Sequence, residues 1–407
     1  MSDGRVGPFA LLRRRRDLRN LTAGLALSYV GSGAGLTALV LYVQSTEGTG
    51  VAVGALLLAE TVPRLLGPLA GAVVDRSDLR RLMVGCDLAQ AVLFGILVLL
   101  PPFAAILAIA AIANLLLAAY SPARGTLIAD IVEPGELATA YAVENTTFNL
   151  QVAVGPVIGG VLVAAGGVRL ALGVDAATFL ASAVFLSRLR PTPRKRPEAG
   201  AGIIDDARAG LAYALRHPVA RALVLTLLAT VAFLGVDNVA LPFLVRDTLD
   251  AGPAAYGVAA GAFGIGMLAG SIGLAFRPGR SPAAVYLSGI LAGGLGSIAT
   301  GLSPIVGAVV ALQGVAGLGN GLENVANNTL VSRHVSPEML GRVFGLVATA
   351  AYAGAGVASL IGGFFLDLTS PRTVFITGGI GALATFALAL RPLLRAENRI
   401  AAEAEGG

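Results

Sequence analysis

TLIADIVEPGEL at residues 126–137 and TLVSRHVSPEML at residues 329–340 are two copies of one segment. Five positions are identical at an offset of 203 residues, namely Thr126, Leu127, Val132, Pro134 and Leu137 of the first copy. The register holds further along, because Ile-Gly-Gly at 158–160 recurs at 361–363 without an insertion. Since the offset is close to half of the 407 residues, we predict a chain of two repeated halves.

The composition indicates that both halves lie in a membrane. The chain is 56% hydrophobic and 13% charged, whereas an average soluble domain is about 25% charged. Twelve apolar stretches approach the length of about 20 residues that a helix needs to cross the hydrocarbon layer. They lie at 20–43, 51–74, 83–100, 102–124, 140–165, 168–189, 219–246, 253–275, 283–301, 304–330, 341–366 and 372–391.

These stretches predict an all-α membrane protein with twelve transmembrane helices in two six-helix pseudo-repeats. The first half covers 1–189, a cytoplasmic linker covers 190–218, and the second half covers 219–407. Parallel six-span repeats are a transporter architecture, with the substrate site near the midplane of the bilayer. We therefore expect a transporter.

Basic residues are strongly biased to one side of the predicted topology. If both termini are cytoplasmic, all but four of the 29 Lys and Arg residues lie in the terminal segments and inner loops. The exceptions are Arg169, Arg246 and Arg372 in outer loops and Arg64 within a span. The positive-inside rule then predicts a multi-pass protein of the inner or plasma membrane with both termini cytoplasmic. The net charge of +5 reflects this topology, so we expect no nucleic-acid partner.

Residues typical of catalytic and metal sites are sparse. Cys86 is the single cysteine, and His217 and His334 fall in different inner loops. The sequence shows no phosphate-binding loop, no nucleophile paired with a base and no nucleotide-binding domain. We expect no metal, no cofactor and no enzymatic activity. We also expect the first apolar run to remain as a span, because no signal-cleavage site follows it.

The second span and the loop after it carry glycines and charges in a regular pattern. Helical spacing predicts one stripe of Glu60, Arg64, Gly67, Gly71 and Asp75. Arg76, Arg80 and Arg81 follow at the predicted inner surface. We expect these charges to form a cytoplasmic gate, through contacts with the other half or with Asp130 and Glu133. A solvated charged loop is the alternative.

The fifth span has helix breakers at its centre, in GPVIGG at 155–160. Proline in a helix interior removes a backbone hydrogen bond, a loss that neighbouring helices can compensate in a membrane. Gly155 and Pro156 predict a kink or a close backbone approach, with a merely tolerated kink as the alternative. Gly159 and Gly160 predict close helix packing, since small residues let helix backbones approach each other.

Carboxylates inside the spans are the candidates for proton coupling, because an unpaired charge is costly in lipid. Asp237 ranks first, since no basic residue lies within a turn on its inner side. A hydrogen-bonded packing residue is the alternative. Glu323 ranks second, and Glu60 third because Arg64, one turn away, favours a structural ion pair. Asp175 and Glu144 are expected to be structural or gating groups.

The tenth span is unusually polar, with GNGLENVANNTL at 319–330. Helical spacing predicts one amide-rich face turned towards water or ligand, made of Asn320, Glu323, Asn324, Asn327 and Asn328. Together with Asn114 and Asn238, the asparagines at 320, 324 and 327 are the candidates for lining the substrate cavity. Alternatively, the inner portion of this face lines only the mouth of the cavity.

Several of these motifs resemble those of the major facilitator superfamily. Gly71-x-x-x-Asp75-Arg76-x-x-x-Arg80-Arg81 is similar to its signature between the second and third spans, and GPVIGG is similar to its antiporter motif. SPARGTLIADIV, GLAYALRHP and VSPEMLGRVFGL resemble the branch that contains macrolide efflux proteins and the enterobactin exporter. The sequence departs from the family pattern at Asp78, Leu79 and Asn114, where the family has glycine, a basic residue and a mid-membrane arginine.

The resemblance implies the major facilitator fold and proton-driven export of amphipathic compounds of the drug, macrolide or siderophore type. Export by rocking alternating access is the first hypothesis. Uptake by proton symport is the second, because it uses the same architecture, and a membrane-embedded enzyme is a weaker third. The expected partners are a small amphipathic substrate, protons and the lipid bilayer, and the chain is expected to be a monomer.

Overall fold

The computed structural model describes residues 7–67, 77–190, 203–275 and 281–405. Throughout these ranges the regular elements are helices. In chain order they are α1 (Pro8–Arg14), α2 (Arg16–Glu47), α3 (Gly50–Thr61), α4 (Leu79–Leu97), α5 (Phe103–Ile131), α6 (Leu137–Ala153), α7 (Gly155–Ser187), α8 (Ile203–Arg216), α9 (Pro218–Leu234), α10 (Asp237–Phe243), α11 (Pro253–Ala275), α12 (Pro282–Leu302), α13 (Val306–His334), α14 (Leu340–Leu368) and α15 (Pro371–Glu405).

Eight helical segments in the described ranges are long and apolar enough to cross a membrane on their own. One of them, Pro134–Ser187, is 54 residues long and contains both the fifth and the sixth predicted span. The second, third and tenth predicted spans correspond to α3, α4 and α13, which are short or carry charged and amide side chains. The prediction of an all-α membrane protein is confirmed.

Contacts between Cα atoms divide the chain into two compact units. Unit 1 comprises Met1–Val43 and Val62–Gly200, and unit 2 comprises Gln44–Thr61 and Ala201–Gly407. The helix α3 therefore groups with the second unit, although it belongs to the first half of the sequence. Its N-terminal glycines explain this, because they pack against α14 at backbone distance.

In unit 1, α7 packs closely against α2. A Cβ atom added to Gly155 would lie 2.7 Å from the Cα atom of Gly33, and one added to Gly159 would lie 2.6 Å from the carbonyl oxygen of Ala34. Because α6 ends at Ala153 and α7 begins at Gly155, Pro156 occupies the first turn of α7. A proline is tolerated there, since the N–H that it lacks would have no partner within the helix.

Two glycines, Gly166 and Gly167, separate the predicted fifth and sixth spans within α7. Gly167 has φ 78° and ψ 178°, a backbone conformation that only glycine adopts readily. The chain thus reverses course without a loop of any length. The constraint is conformational, because a Cβ atom at this position would meet no other atom within 4 Å.

We predict opposite effects of the same substitution at two glycines of unit 1. Alanine stabilises a helix interior by about 1 kcal/mol relative to glycine, and Gly85 of α4 has open space for the added methyl group. Gly85→Ala should therefore leave the melting temperature unchanged or raise it. Gly159→Ala should lower it, because its Cβ atom would overlap Ala34 and overpacking costs about 1–3 kcal/mol. Thermal unfolding in detergent measures both, and equal melting temperatures would contradict the prediction.

Unit 2 is held together by similar close contacts between helix backbones. On α13, Gly317 faces the carbonyl oxygen of Phe263 of α11, and Gly319 faces that of Gly289 of α12. Towards the C-terminal end of α13, an apolar core surrounds Tyr286. It is enclosed by α9, α12, α13, α14 and α15. These contacts position the polar residues of α12 and α13 against each other.

Candidate functional site

Asp237 lies at a break between two helices of unit 2. The helix α9 ends at Leu234 and α10 starts at Asp237, which places the carboxylate in the first turn of α10. Pro242 lies five residues further on, inside the same short helix. An interrupted helix offers backbone groups that a continuous span would keep occupied.

The Asp237 carboxyl is directed to the junction of α10, α12 and α15. Ser297 Oγ lies 3.1 Å from Asp237 Oδ1 and 2.8 Å from the carbonyl oxygen of Phe375. A serine hydroxyl has one hydrogen, and a carbonyl oxygen can only accept. Both contacts are fully satisfied when the hydroxyl donates to Phe375 and a protonated Asp237 donates to Ser297. The geometry therefore suits a carboxyl that carries a proton.

Glu323 lies in the interior of unit 2, between α12 and α13. It is 4% exposed, and its Cβ atom would lie 3.1 Å from a Cβ atom added to Gly289. The hydroxyl of Tyr286, one turn before Gly289, is its polar neighbour. Yet Glu323 Oε1, the Tyr286 hydroxyl and Asn327 Oδ1 make no hydrogen bond to a described residue. This carboxyl therefore has a polar but incompletely satisfied environment.

The amide-rich face of the tenth span is divided in two by its neighbours. Glu323 and Asn327 are buried against α12, whereas Asn324 and Asn328 are exposed and Asn320 is partly exposed. Only part of the predicted face is accessible to water or ligand, because α12 covers one edge of it. Asn324 Nδ2 donates to Asn320 Oδ1 at 2.9 Å, which links the exposed amides along the helix.

The predicted stripe of the second span is interrupted at its middle. The α-helix ends at Thr61, and Val62–Leu66 forms a 3₁₀ helix. In this turn Arg64 Nε donates to Asn114 Oδ1 at 2.9 Å, and Asn114 Nδ2 donates to the carbonyl oxygen of Ala110. Asn114 is buried, and both the oxygen and the nitrogen of its amide make hydrogen bonds. A guanidinium thus lies beside the position where the family has its arginine.

Only part of the predicted gate can be located. Gly71, Asp75 and Arg76 lie outside the described residues. Arg80 Nη1 donates to the carbonyl oxygens of Ser187 and Leu189, at the end of α7. A cation at a helix C-terminus is favourable, because the unpaired carbonyl groups there carry partial negative charge.

The remaining predicted gate residues are near the same end of unit 1. Arg81 is exposed, and its backbone N–H donates to Asp78, which caps α4. Asp130 is exposed, and Glu133 pairs with Arg15. Hydrogen bonds from the Arg15 guanidinium to Glu133 and Glu136 raise the pKa of Arg15 above its usual value. They join the N-terminal segment to the turn before α6.

Two further predicted carboxylates lie at contacts between helices of unit 1. Glu144 of α6 pairs with Arg124 of α5 at 3.2 Å, and this guanidinium also lies over the ring of Tyr29. Asp175 of α7 is fully buried against Gly31 and Gly35 of α2. Both positions hold neighbouring helices together.

Asp87 of α4 is an intramembrane carboxylate that the sequence analysis missed. It is 2% exposed, and its polar neighbours are Tyr120 of α5 and Ser182 of α7. The signal was present, since a carboxylate inside a predicted span at 83–100 is itself a functional indication.

A cavity of about 360 Å³ lies outside this set of residues. It is lined by Ala209, Ala212, Tyr213, Arg216, His217 and Met339, around the junction of α8 and α9. The ring of His217 stacks on that of Tyr213, and burial lowers the pKa of His217 with a smaller effect of His334. The cavity contains none of the predicted coupling residues.

The arrangement of helices and intramembrane carboxylates agrees with the comparison to known families. The family model described as Major Facilitator Superfamily matches residues 21–276 and 235–406. The chain belongs to this superfamily. It is therefore a multi-pass membrane transporter of small molecules, and the sequence-based assignment to the superfamily is confirmed.

Relatives and solved structures of superfamily members cover nearly all of the chain. It is 26% identical to the multidrug efflux pump Tap of Mycolicibacterium fortuitum over 97% of this chain and 98% of that protein. It is 26% identical to Tap of Mycobacterium tuberculosis over 91% and 92%, respectively. A mutant of the nucleoside transporter NupG superimposes with a TM-score of 0.77 at 14% identity, over 92% of this chain and 99% of that one. This superposition concerns the fold alone.

Proposed function

We propose that this chain is a secondary active exporter of amphipathic small molecules, driven by protons that enter as substrate leaves. The observation that carries the proposal is its near-full-length similarity to multidrug efflux pumps. Both termini lie in the cytoplasm of the cell, and transport follows alternating access as the two six-span repeats rock. The chain acts as a monomer.

Asp237 is the proposed proton carrier. This proposal is supported by the two contacts of Ser297 Oγ, with Asp237 Oδ1 and with the carbonyl oxygen of Phe375. Both are full hydrogen bonds when the Asp237 carboxyl is protonated. Glu323 is the second candidate, because it is buried with an oxygen that makes no hydrogen bond to a described residue. Glu60 ranks third. A carboxyl that alternates between a buried and a hydrated setting exchanges its proton as the setting changes.

The proposed substrate contacts are the accessible amides of unit 2. Asn320, Asn324 and Asn238 are at least partly exposed, so their amides can meet a ligand. Asn327 is buried beside Glu323, and we assign it to the carboxylate rather than to the substrate. Asn114 is also buried, and we assign its amide to the hydrogen bond with Arg64 rather than to the substrate. The gate at the inner end includes Arg80, which joins α4 to the end of α7.

A survey of toxic lipophilic compounds tests the proposed export. The full-length chain is expressed in a drug-hypersensitive bacterial host beside the Asp237→Asn variant and an empty vector. We expect higher tolerance of at least one compound, lower cellular accumulation of ethidium, and no protection by the variant. Lack of protection against every compound would refute drug export. Inverted vesicles then give the direction, since a symporter for uptake would empty them of substrate and an exporter would fill them.

A further inference from the structure

Three polar side chains face one another inside unit 1, and none of them is among the residues proposed above for transport. They are Asp87 of α4, Tyr120 of α5 and Ser182 of α7. Their exposed fractions are 2%, 4% and 0%. Asp87 Oδ2, the Tyr120 hydroxyl oxygen and Ser182 Oγ make no hydrogen bond to a described residue. Buried polar groups are rarely left in this condition.

The surroundings of Asp87 contain no compensating positive charge within the described ranges. The titratable side chains that face it are Tyr120 and the adjacent Cys86. Gly24 of α2 packs against this cluster, since an added Cβ atom there would lie 3.2 Å from Ser182 Oγ. An ionised carboxyl without a partner is very costly in such a place, whereas a neutral acid can donate to a hydroxyl group.

The site lies on the same seam between α4 and α7 as the Arg80 contact. Arg80 and Asp87 are seven residues apart on α4, and Ser182 lies five residues before Ser187, the last residue of α7. Asp87 and Ser182 therefore both lie about one to two helical turns from the Arg80 contact. Parting of the helix ends at Arg80 would therefore admit water towards Asp87.

Unit 2 contains a corresponding pair with the two partners exchanged. The repeat offset of 203 residues relates Tyr120 of the fourth span to Glu323 of the tenth. In unit 2 the tyrosine beside the carboxyl is Tyr286, on the ninth span. The ninth span corresponds to the third span of the first half, which carries Asp87. Each unit thus buries one carboxyl beside one tyrosine between the same two helices of the repeat.

We propose that Asp87, Tyr120 and Ser182 form a proton-binding site in unit 1. The Asp87 carboxyl carries a proton while α4 and α7 are packed, and it exchanges this proton with water when they part. Tyr120 and Ser182 stabilise the neutral acid by hydrogen bonding. The site needs neither a particular substrate nor a particular direction of transport.

Infrared titration of the purified, lipid-embedded full chain tests the site without any substrate. Spectra are compared between about pH 5 and pH 9, a range above the pKa of an ordinary carboxyl group. Asp87→Asn keeps the shape of the neutral acid, and Asp130→Asn is the matched control at an exposed carboxylate. A pH-indicator dye counts the protons that each protein takes up over the same range.

We expect Asp87→Asn to remove one carboxylic-acid band and to lower proton uptake by about one per molecule, with no loss of that band in Asp130→Asn. Tyr120→Phe and Ser182→Ala should keep the band but shift its frequency, because each removes a hydroxyl group that faces the neutral acid. The proposal fails if the band persists in Asp87→Asn, or if it disappears without a change in proton uptake. It also fails if neither hydroxyl variant shifts the band. Drug protection plays no part in these outcomes, so they are distinct from a failure of the proposed export.

Discussion

Asp237→Asn should abolish uphill export while substrate binding is retained. The substitution keeps the size of the neutral acid, and the asparagine amide can still donate to Ser297 Oγ. What it removes is the exchangeable proton. If this proton couples the gradient to transport, the variant can exchange substrate down its gradient but cannot concentrate it.

Proteoliposomes with an imposed proton gradient measure the uphill component, and equilibrium binding of the same labelled compound measures affinity. Asp250→Asn is the matched control, because Asp250 is an exposed carboxylate in the loop that follows the same span. It should transport as the unmodified chain does. Full uphill transport by Asp237→Asn would exclude Asp237 as the obligatory carrier. Glu323→Gln would then be the next variant to test.

Ser297→Ala adds a second test of the same geometry. It removes the hydroxyl that lies between Asp237 Oδ1 and the carbonyl oxygen of Phe375. We expect weaker uphill transport with a changed pH profile, whereas a purely packing role for Asp237 would leave the profile as it is.

Gly54→Leu should have the second large effect, at the contact of α3 with α14. A Cβ atom at Gly54 would lie 2.3 Å from the carbonyl oxygen of Ser359, and one at Gly363 would lie 2.6 Å from that of Gly50. The Asp367 carboxylate also accepts hydrogen bonds from the first two N–H groups of α3. A leucine cannot fit between these backbones, so the two helices must separate.

Overpacking of this kind costs about 1–3 kcal/mol, which changes a conformational equilibrium by about 5- to 150-fold. Since α3 belongs to the first repeat and α14 to the second, the proposed rocking depends on this contact, and we expect export to fall by a similar factor. A Ser359→Cys reporter in a Cys86→Ser background should then react faster with a polar thiol reagent. Gly307→Leu is the control, because open space surrounds Gly307. Unchanged labelling in Gly54→Leu would contradict the prediction.

The sequence was sufficient for features that depend on one helix and its period. Twelve apolar stretches, a two-fold repeat and the superfamily motifs required no knowledge of neighbours. The glycines of the fifth span also had a local signal, since proline and glycine in an apolar run indicate packing at backbone distance.

Features that depend on which helices meet were beyond the sequence. Periodicity placed Glu323 and Asn324 on one face, but it could not show that α12 buries the first and leaves the second exposed. Nor could it show that Arg64 would donate to Asn114, 50 residues away. Nor could it show that Asp87 would lie beside Tyr120 of α5 and Ser182 of α7.

The one-residue turn at Gly167 also limits how relatives of this chain can differ in length. Most connections tolerate insertions, because surface loops accommodate extra residues at little entropic cost. At Gly167 two spans meet through a single backbone conformation that excludes other L-residues. An inserted residue would rotate everything that follows relative to Gly155 and Gly159. We therefore expect insertions and deletions to accumulate in other connections and to avoid this hairpin.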